Sequence, residues 1–472
     1  MDSITMTAEQ QLPEGWKIER LGDIAISEKG KKPKNQSSEK TDTYCYPYVD
    51  IEAFEKGVIK SYTDGVKCVL CDEDDFLMVW DGSRSGLVGK GIRGALGSTL
   101  VHISLPEVSN LYAYYFLLSK YQEINTRAKG SGTPHVDPDL LWNYAFPIPP
   151  NLETQQDIVN KIESLFAEID EGIGRLKTAA QQIQQYRQSL LKNAFNGELT
   201  KEWRSKHADT LPSENELLAQ IQTTREQHHA QQLADWQTAV SQWEQNGKEG
   251  KKPSKPKAPT QAVKFEENFA DLPSGWGMVK LENLASEYVL GKMLDKNKNK
   301  GKERLYLGNI NVRWGYFEFS NAKTMKIEDD EIERYSVKYG DLIICEGGEP
   351  GRCAVWKHEA EMFIQKALHR VRFPSYYSAD FAFYYLSYAV KLPLVTDLLT
   401  GTTIKHLTGT ALKNIPFPVC SISEQTEIVA ILETKLTACD QLAAELAKQL
   451  KQAELLKQAV LKAAFSGSLL DK

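Results

Sequence analysis

From Thr154 to Leu199, apolar or small residues return every three or four positions: Gly172, Leu176, Ala179, Ile183, Tyr186 and Leu190. That spacing predicts a long helix with one narrow apolar seam, the pattern of two helices packed along each other. The pattern recurs without a gap from Glu424 to Leu469, at Leu442, Leu446, Ala453, Leu456 and Val460, with Gln449 interrupting it. Ahead of each helical stretch the period changes. Short runs rich in β-branched and aromatic residues, bounded by Gly, Pro, Asp or Asn, predict strands at 45–51, 75–80 and 100–105, and again at 305–312, 341–345 and 367–373. An aromatic-rich helix follows each set, at 111–120 and 379–389, then a polar loop, 130–136 and 400–407.

These patterns are two copies of one long unit. Leu12-Pro13-Glu14-Gly15-Trp16 opens the first and Leu272-Pro273-Ser274-Gly275-Trp276 the second. Gln155-x-x-Ile158-Val159 returns as Gln425-x-x-Ile428-Val429, and Ala194-Phe195-x-Gly197-x-Leu199 as Ala464-Phe465-x-Gly467-x-Leu469. A repeat this long marks whole domains, not a solenoid unit. The expected division is 1–153, 154–200, 201–270, 271–423 and 424–472, an α+β chain of two strand-rich domains and two helical spacers.

The segment between the copies has no partner. Ser213-Glu214-Asn215-Glu216 is a capping box, which predicts a helix from there to Asn246-Gly247 with Leu233, Trp236, Val240 and Trp243 as its apolar stripe. That stripe is expected to pack on its own domain. The Pro- and Lys-rich run 248–260 reads as an extended, solvated spacer.

At 472 residues the chain has material for roughly three domains of about 150 residues, and 41% hydrophobic with 25% charged residues is an ordinary globular composition. The start from Met1 lacks a basic, then apolar, leader, and no run reaches the roughly 18 apolar residues needed to span a bilayer, so a cytoplasmic setting is expected. The seven cysteines are scattered and odd in number, which is no disulfide framework. Cys68-x-x-Cys71 lacks the two further ligands that zinc requires, so the cysteines are expected in the core.

A formal net charge of -6 argues against phosphate binding until its distribution is considered. Basic clusters stand at Lys29–Lys34, Arg84–Arg93 and Lys292–Arg304. Gly89-Lys90-Gly91-Ile92-Arg93-Gly94 matches the dinucleotide fingerprint in letters, but the strand-like residues after it deny the helix that the fingerprint needs, so it reads as a basic turn. There is no phosphate loop, no His-Glu-x-x-His, no Gly-x-Ser-x-Gly and no Asn-Pro-Pro-aromatic tetrapeptide. Among eight histidines only His135 and His406 hold equivalent positions, each in a polar loop, which suits hydrogen bonding to a base or phosphate as well as a structural role. The chain reads as a recognition protein without a catalytic centre.

With these motifs in this order the chain resembles the specificity (S) subunits of type I restriction-modification systems. The resemblance covers the whole chain apart from the insertion between Leu211 and Thr260, which suits an additional dock for a partner subunit. It implies two target-recognition domains on double-stranded DNA, each gripping one half of a bipartite site, held apart by two antiparallel helices about an approximate two-fold axis. It also implies two methyltransferase (M) subunits and restriction (R) subunits as partners. Any S-adenosylmethionine, ATP and Mg would belong to those partners and none to this chain. Candidate DNA contacts in the first module are Lys31, Lys32, Lys34, Asn35, Arg84, Lys90, Arg93, Thr133 and His135. In the second they are Lys292, Lys296, Lys298, Asn309, Arg352, Thr402, Lys405 and His406. Two other readings stay open: a coiled-coil adaptor that binds proteins, and a DNA enzyme acting alone.

Overall fold

The computed structural model describes residues 12–130, 132–250, 252–259, 261, 272–295, 299–403 and 405–470. It is α+β and divides into two compact units, 1–180 with 444–472, and 181–443.

In the first unit a four-stranded antiparallel sheet runs in the order Ile26–Lys29, Leu100–Ser104, Phe76–Val79, Val88–Lys90. Phe76, Leu77, Met78 and Val79 are all buried because the strand is covered on both faces. Alternation sorts them: Phe76 and Met78 join Tyr112 and Phe116 in one core, while Leu77 and Val79 join Val49 and Leu96 in another. A second sheet of five short strands includes Tyr46–Val49 paired in parallel with Gly94–Leu96. Lys17–Arg20 pairs antiparallel with Ala145–Ile148. The aromatic-rich helix runs Asn110–Thr126, a turn and a half beyond the expected 120, because Ile124 still reaches the core.

The second unit repeats this order. Glu287–Leu290, Leu368–Arg372, Leu342–Cys345 and Cys353–Val355 make its four-stranded sheet, and Gly277–Lys280 pairs with Pro416–Val419. Leu342 and Ile344 face one core, Ile343 and Cys345 another. The following helix spans Ala379–Ala389, as the pattern predicts.

Two helices of 44 residues, Leu152–Phe195 and Ile422–Phe465, carry the repeat. Each starts in the core of one unit and ends in that of the other. Ile158, Val159 and Ile162 pack in the first unit with Val460, Leu461 and Ala464; Ile428 and Leu432 pack in the second with Leu190, Ala194 and Phe195. The chains are antiparallel in both places. Lys457 Nζ lies 2.6 Å from Asp170 in the first unit, and Arg187 pairs with Asp440 in the second. Asp170 and Asp440 are repeat equivalents, as are Arg187 and Lys457, so one ion pair is used twice.

The seam differs in phase from the expected one. Leu176, Ala179, Ile183, Leu446 and Ala453 are partly buried and Leu190 and Val460 buried, but Tyr186, Leu442 and Leu456 are 47%, 57% and 53% exposed. Arg187 and Lys457 take the inward positions instead, laying their alkyl stems along the seam while their charged heads reach the paired aspartates. Leu450, beside the interrupting Gln449, is also turned inward.

The repeated motifs meet in space. Gly467 takes φ +80 against the ring of Pro13, and Gly197 takes φ +79 against Pro273, so each closing Gly seats the Pro of an opening motif. Phe465 packs edge-on at 5.2 Å from Tyr112, Phe195 at 5.4 Å from Phe381. Gln155 Oε1 accepts from Ser109 N and Gln425 Oε1 from Ser378 N, both at 2.8 Å, which caps the aromatic-rich helix of each unit.

The inserted helix spans Glu214–Gln245 with its capping box formed. Its anchors in the second unit are Leu217 and Ile221, not the expected stripe. The two tryptophans of the stripe meet the Lys-rich run: Trp236 Nε1 donates to Pro253 O at 3.0 Å and Trp243 Nε1 to Gly250 O at 3.3 Å, while Lys255 and Lys252 lie over the two indoles. The run is therefore tethered to the helix at the two indoles, while most of its described residues stay exposed. Indole N–H groups left by a Gln-rich helix need acceptors, and backbone carbonyls next to proline and glycine supply them. Lys251, Thr260 and 262–271 lie outside the described residues.

Five of the cysteines are buried, Cys68 is intermediate and Cys45 is exposed. Cys71 points its thiol at Ile92 O and Gly94 O, and burial pushes its pKa up to about 11.

Candidate nucleic-acid interface

Register decides which loops share an edge. In the first unit Lys29 pairs with Val101 and Val79 with Leu100, so Ile26–Lys29 and Phe76–Val79 finish at the same end of the sheet. The basic segment 30–35 and the Gly-rich loop 80–87 leave from that end. The polar loop joins them: Gly82 N donates to Pro134 O at 2.7 Å, Val136 N to Trp80 O at 2.9 Å, and Lys129 and His135 close a small hairpin. Lys29 Nζ lies 2.7 Å from Asp81 across the same edge. Lys31, Lys32, Lys34, Asn35, Arg84 and Thr133 are exposed here and His135 is half-buried. Asn35 is held by Asp64 Oδ2 at 3.0 Å, and Arg84 by Glu55 Oε2 at 2.6 Å. The Lys129 ammonium lies 2.8 Å from Asp137, whose hydrogen bond holds it charged above its ordinary pKa.

Lys90 and Arg93 fall elsewhere. Lys90 is opposite Phe76, at the far end of the same strand pair, and Gly91 N donates to Asp75 O. The basic turn that they form is real, with strand on both sides, but it is not part of this edge.

The second unit builds the equivalent edge from Leu290 opposite His369 and Cys345 opposite Leu368. Leu407 N donates to Glu346 O at 2.7 Å, and Thr400 and His406 close the matching hairpin. Thr402, Lys405 and His406 are exposed. Arg352 is mostly covered, giving Nη1 to Glu349 Oε2 at 3.0 Å and Nη2 to Asn309 O at 2.9 Å. Asn309 Nδ2 donates to Gly347 O at 2.9 Å, which ties the 309 turn to the Gly-rich loop. Lys292 does not serve as a surface cation. Its side chain is 7% exposed and ion-paired with Glu331, because Gln365 and Ile364 flank its backbone and direct it inward. Lys296 and Lys298 lie outside the described residues.

Beneath this edge His369 links strands to loop. Nδ1 takes the Tyr288 hydroxyl at 2.6 Å and Nε2 faces Leu407 O at 3.1 Å, which fixes the neutral tautomer with its proton on Nε2. Burial lowers its pKa to about 4. Further along the sheet Arg372 clamps Asp341 with two bonds of 2.7 and 2.8 Å, and Arg370 and Arg372 share Glu287. Glu349, Trp314 and the Arg370–Asp341 network carry no signal of their own in the sequence, where Lys and Arg in polar loops are what marks a phosphate contact. Only superposing the two Gly-rich loops would have singled out Glu349.

Among the described residues no group of His, Cys, Asp and Glu could hold a metal ion, and no helix is long and apolar enough to cross a membrane. The class defined by the fold is a duplicated α+β scaffold, one polar loop edge per module. The chain belongs to the type I restriction modification DNA specificity domain family, whose profile matches residues 13–177 and 273–452. It is 31% identical over 188 residues to the type I restriction enzyme MjaVIII specificity subunit of Methanocaldococcus jannaschii, covering 39% of this chain and 43% of that one. The EcoKI specificity subunit of Escherichia coli aligns at 20% identity over 493 residues, covering 97% of this chain and 90% of the relative. In fold the chain is similar to the HsdS subunit from Thermoanaerobacter tengcongensis (TM-score 0.51, 17% identity, 97% and 98% covered). It is also similar to a chain from work on complex assembly and conformational transition of the type I R-M system (TM-score 0.64, 18% identity, 97% and 99% covered).

Proposed function

We propose that this specificity subunit reads a bipartite DNA target, one half with each loop edge, and directs adenine methylation by two M subunits and cleavage by R subunits bound to the same complex. The observation that carries it is the duplication of the edge itself: the same sheet end, Gly-rich loop and histidine hairpin, with different side chains in each copy. Exposed Lys31, Lys32, Lys34 and Lys405 fix position on phosphates, while a few polar side chains meet base edges. S-adenosylmethionine, ATP and Mg act in the partners. The domains proposed are 1–153, 154–200, 201–270, 271–423 and 424–472.

Exchange of residues 12–150 for the same region of a relative tests the reading. With cognate M subunits co-expressed, methylation mapping is expected to show one half of the target altered and the other kept. A change in both halves, or in neither, refutes it.

A further inference from the structure

One turn recurs in both modules with its charge reversed. In the first, Gly86 N donates to Val79 O and Leu87 N to Arg84 O; in the second, Gly351 N donates to Cys345 O and Arg352 N to Glu349 O. The turn glycines have φ +89 and +88, and each lies against one side chain of the neighbouring helical segment, Ile124 or Val390. Arg84-Ser85-Gly86-Leu87 and Glu349-Pro350-Gly351-Arg352 are thus the same four-residue turn, glycine at the third position as a positive φ demands, and proline at the second where φ is already suitable. The first position, exposed in both modules, is arginine in one and glutamate in the other.

Both tips are held and both are open. Arg84 is 58% exposed and anchored by Glu55, itself 14% exposed, at 2.6 Å. Glu349 is 52% exposed; its Oε1 accepts from Trp314 Nε1 at 2.7 Å and its Oε2 from Arg352 Nη1 at 3.0 Å. The anchors are the covered partners, so each tip is presented in a fixed direction. An ionised carboxylate has about four acceptor sites, of which two are used here. On a surface that faces phosphates a carboxylate is repelled by everything except a donor, and on DNA the donors at a base edge are exocyclic amino groups.

We propose, on the reading of the edges given above, that Arg84 and Glu349 are base-reading residues of opposite sense. Arg84 donates to the acceptor edge of guanine in one half-site. Glu349 accepts from the exocyclic amino group of cytosine or adenine in the other. The two halves of the target are then distinguished at equivalent places by hydrogen-bond polarity, each contact giving roughly ten- to a hundredfold discrimination.

The test maps methylated sites for the wild type, Arg84→Gln and Glu349→Gln, each co-expressed with the cognate M subunits, alongside competition binding of the assembled complex to duplexes varied one base pair at a time. Expected is a bipartite wild-type motif in which Glu349→Gln relaxes a single amino-bearing position of one half and Arg84→Gln a single guanine of the other. A wild type without a bipartite motif removes the functional reading. A bipartite wild type whose variants stay sharp at every position overturns this inference and leaves that reading standing. Where a variant methylates nothing, the competition series decides: loss confined to one base pair supports the inference, and uniform weakening over all sequences overturns it.

Discussion

At the scale of single residues, two groups in the second module tie stability to burial, His369 beneath the candidate edge and Asp341 at the other end of the same sheet. His369 has its pKa lowered to about 4 by burial, against about 6.5 in the unfolded chain. Between those values the unfolded state binds the proton and the folded state does not. Stability therefore rises with pH across that window and is lost as pH falls from about 6.5 towards 4. Thermal unfolding followed from pH 7 to 4.5 should show a falling midpoint, and His369→Gln, which keeps an acceptor and a donor but cannot charge, should flatten that dependence. An unchanged slope in the variant would remove His369 as its source. Asp341 acts through its partners. It is fully buried and its two oxygens receive the fork of Arg372. Asp341→Ala leaves Arg370 and Arg372 with one carboxylate between them, and roughly 3–5 kcal/mol of unfolding free energy should be lost in urea titration. None of this was legible in the sequence, where Asp341 and His369 are ordinary strand residues; burial and partners 30 or more positions away create both effects.

At the scale of elements, the sequence displayed most of what the fold uses. Leu-Pro-x-Gly-Trp and Ala-Phe-x-Gly-x-Leu recur because they pack on one another, Pro13 on Gly467 and Pro273 on Gly197. A repeat of motifs far apart in the chain is thus a repeat of one contact. Gly467→Ala and Gly197→Ala combine a left-handed backbone with a methyl group driven into a proline ring, and each should cost roughly 2–4 kcal/mol by calorimetry. Loss confined to a few tenths would mean that the helix end can shift. The helix seam was legible only in outline. Spacing alone ranks Tyr186, Leu442 and Leu456 above Arg187 and Lys457, because period is scored by apolarity while long basic side chains can enter a seam by their stems. The ion pairs themselves are largely exposed on the aspartate side, so Asp170→Ala or Asp440→Ala should cost under about 1 kcal/mol.

At the scale of the whole molecule, duplication was plain in the sequence and the loop edges were not. The repeated helical stretch keeps its length from Thr154–Leu199 to Glu424–Leu469, while the strand-rich regions differ in length, including a Gly-rich loop one residue shorter in the second copy. Loop composition pointed to Lys31, Arg84 and His135, which register does bring to one edge, and equally to Lys90, which the return of a hairpin carries to the other end. Under the proposed function the conserved length is what a measured distance requires, and the variable loops are what two different half-sites require. Inserting one heptad into both long helices, between Ile173 and Leu176 and at the equivalent place between Ala443 and Leu446, adds roughly 10 Å of helix without changing either loop edge. The unread spacer of the methylated motif should then lengthen by about three base pairs while both half-sites keep their sequence. A spacer that stays the same length in a folded, methylation-competent complex would mean that the helices join the modules without setting the distance at which they read.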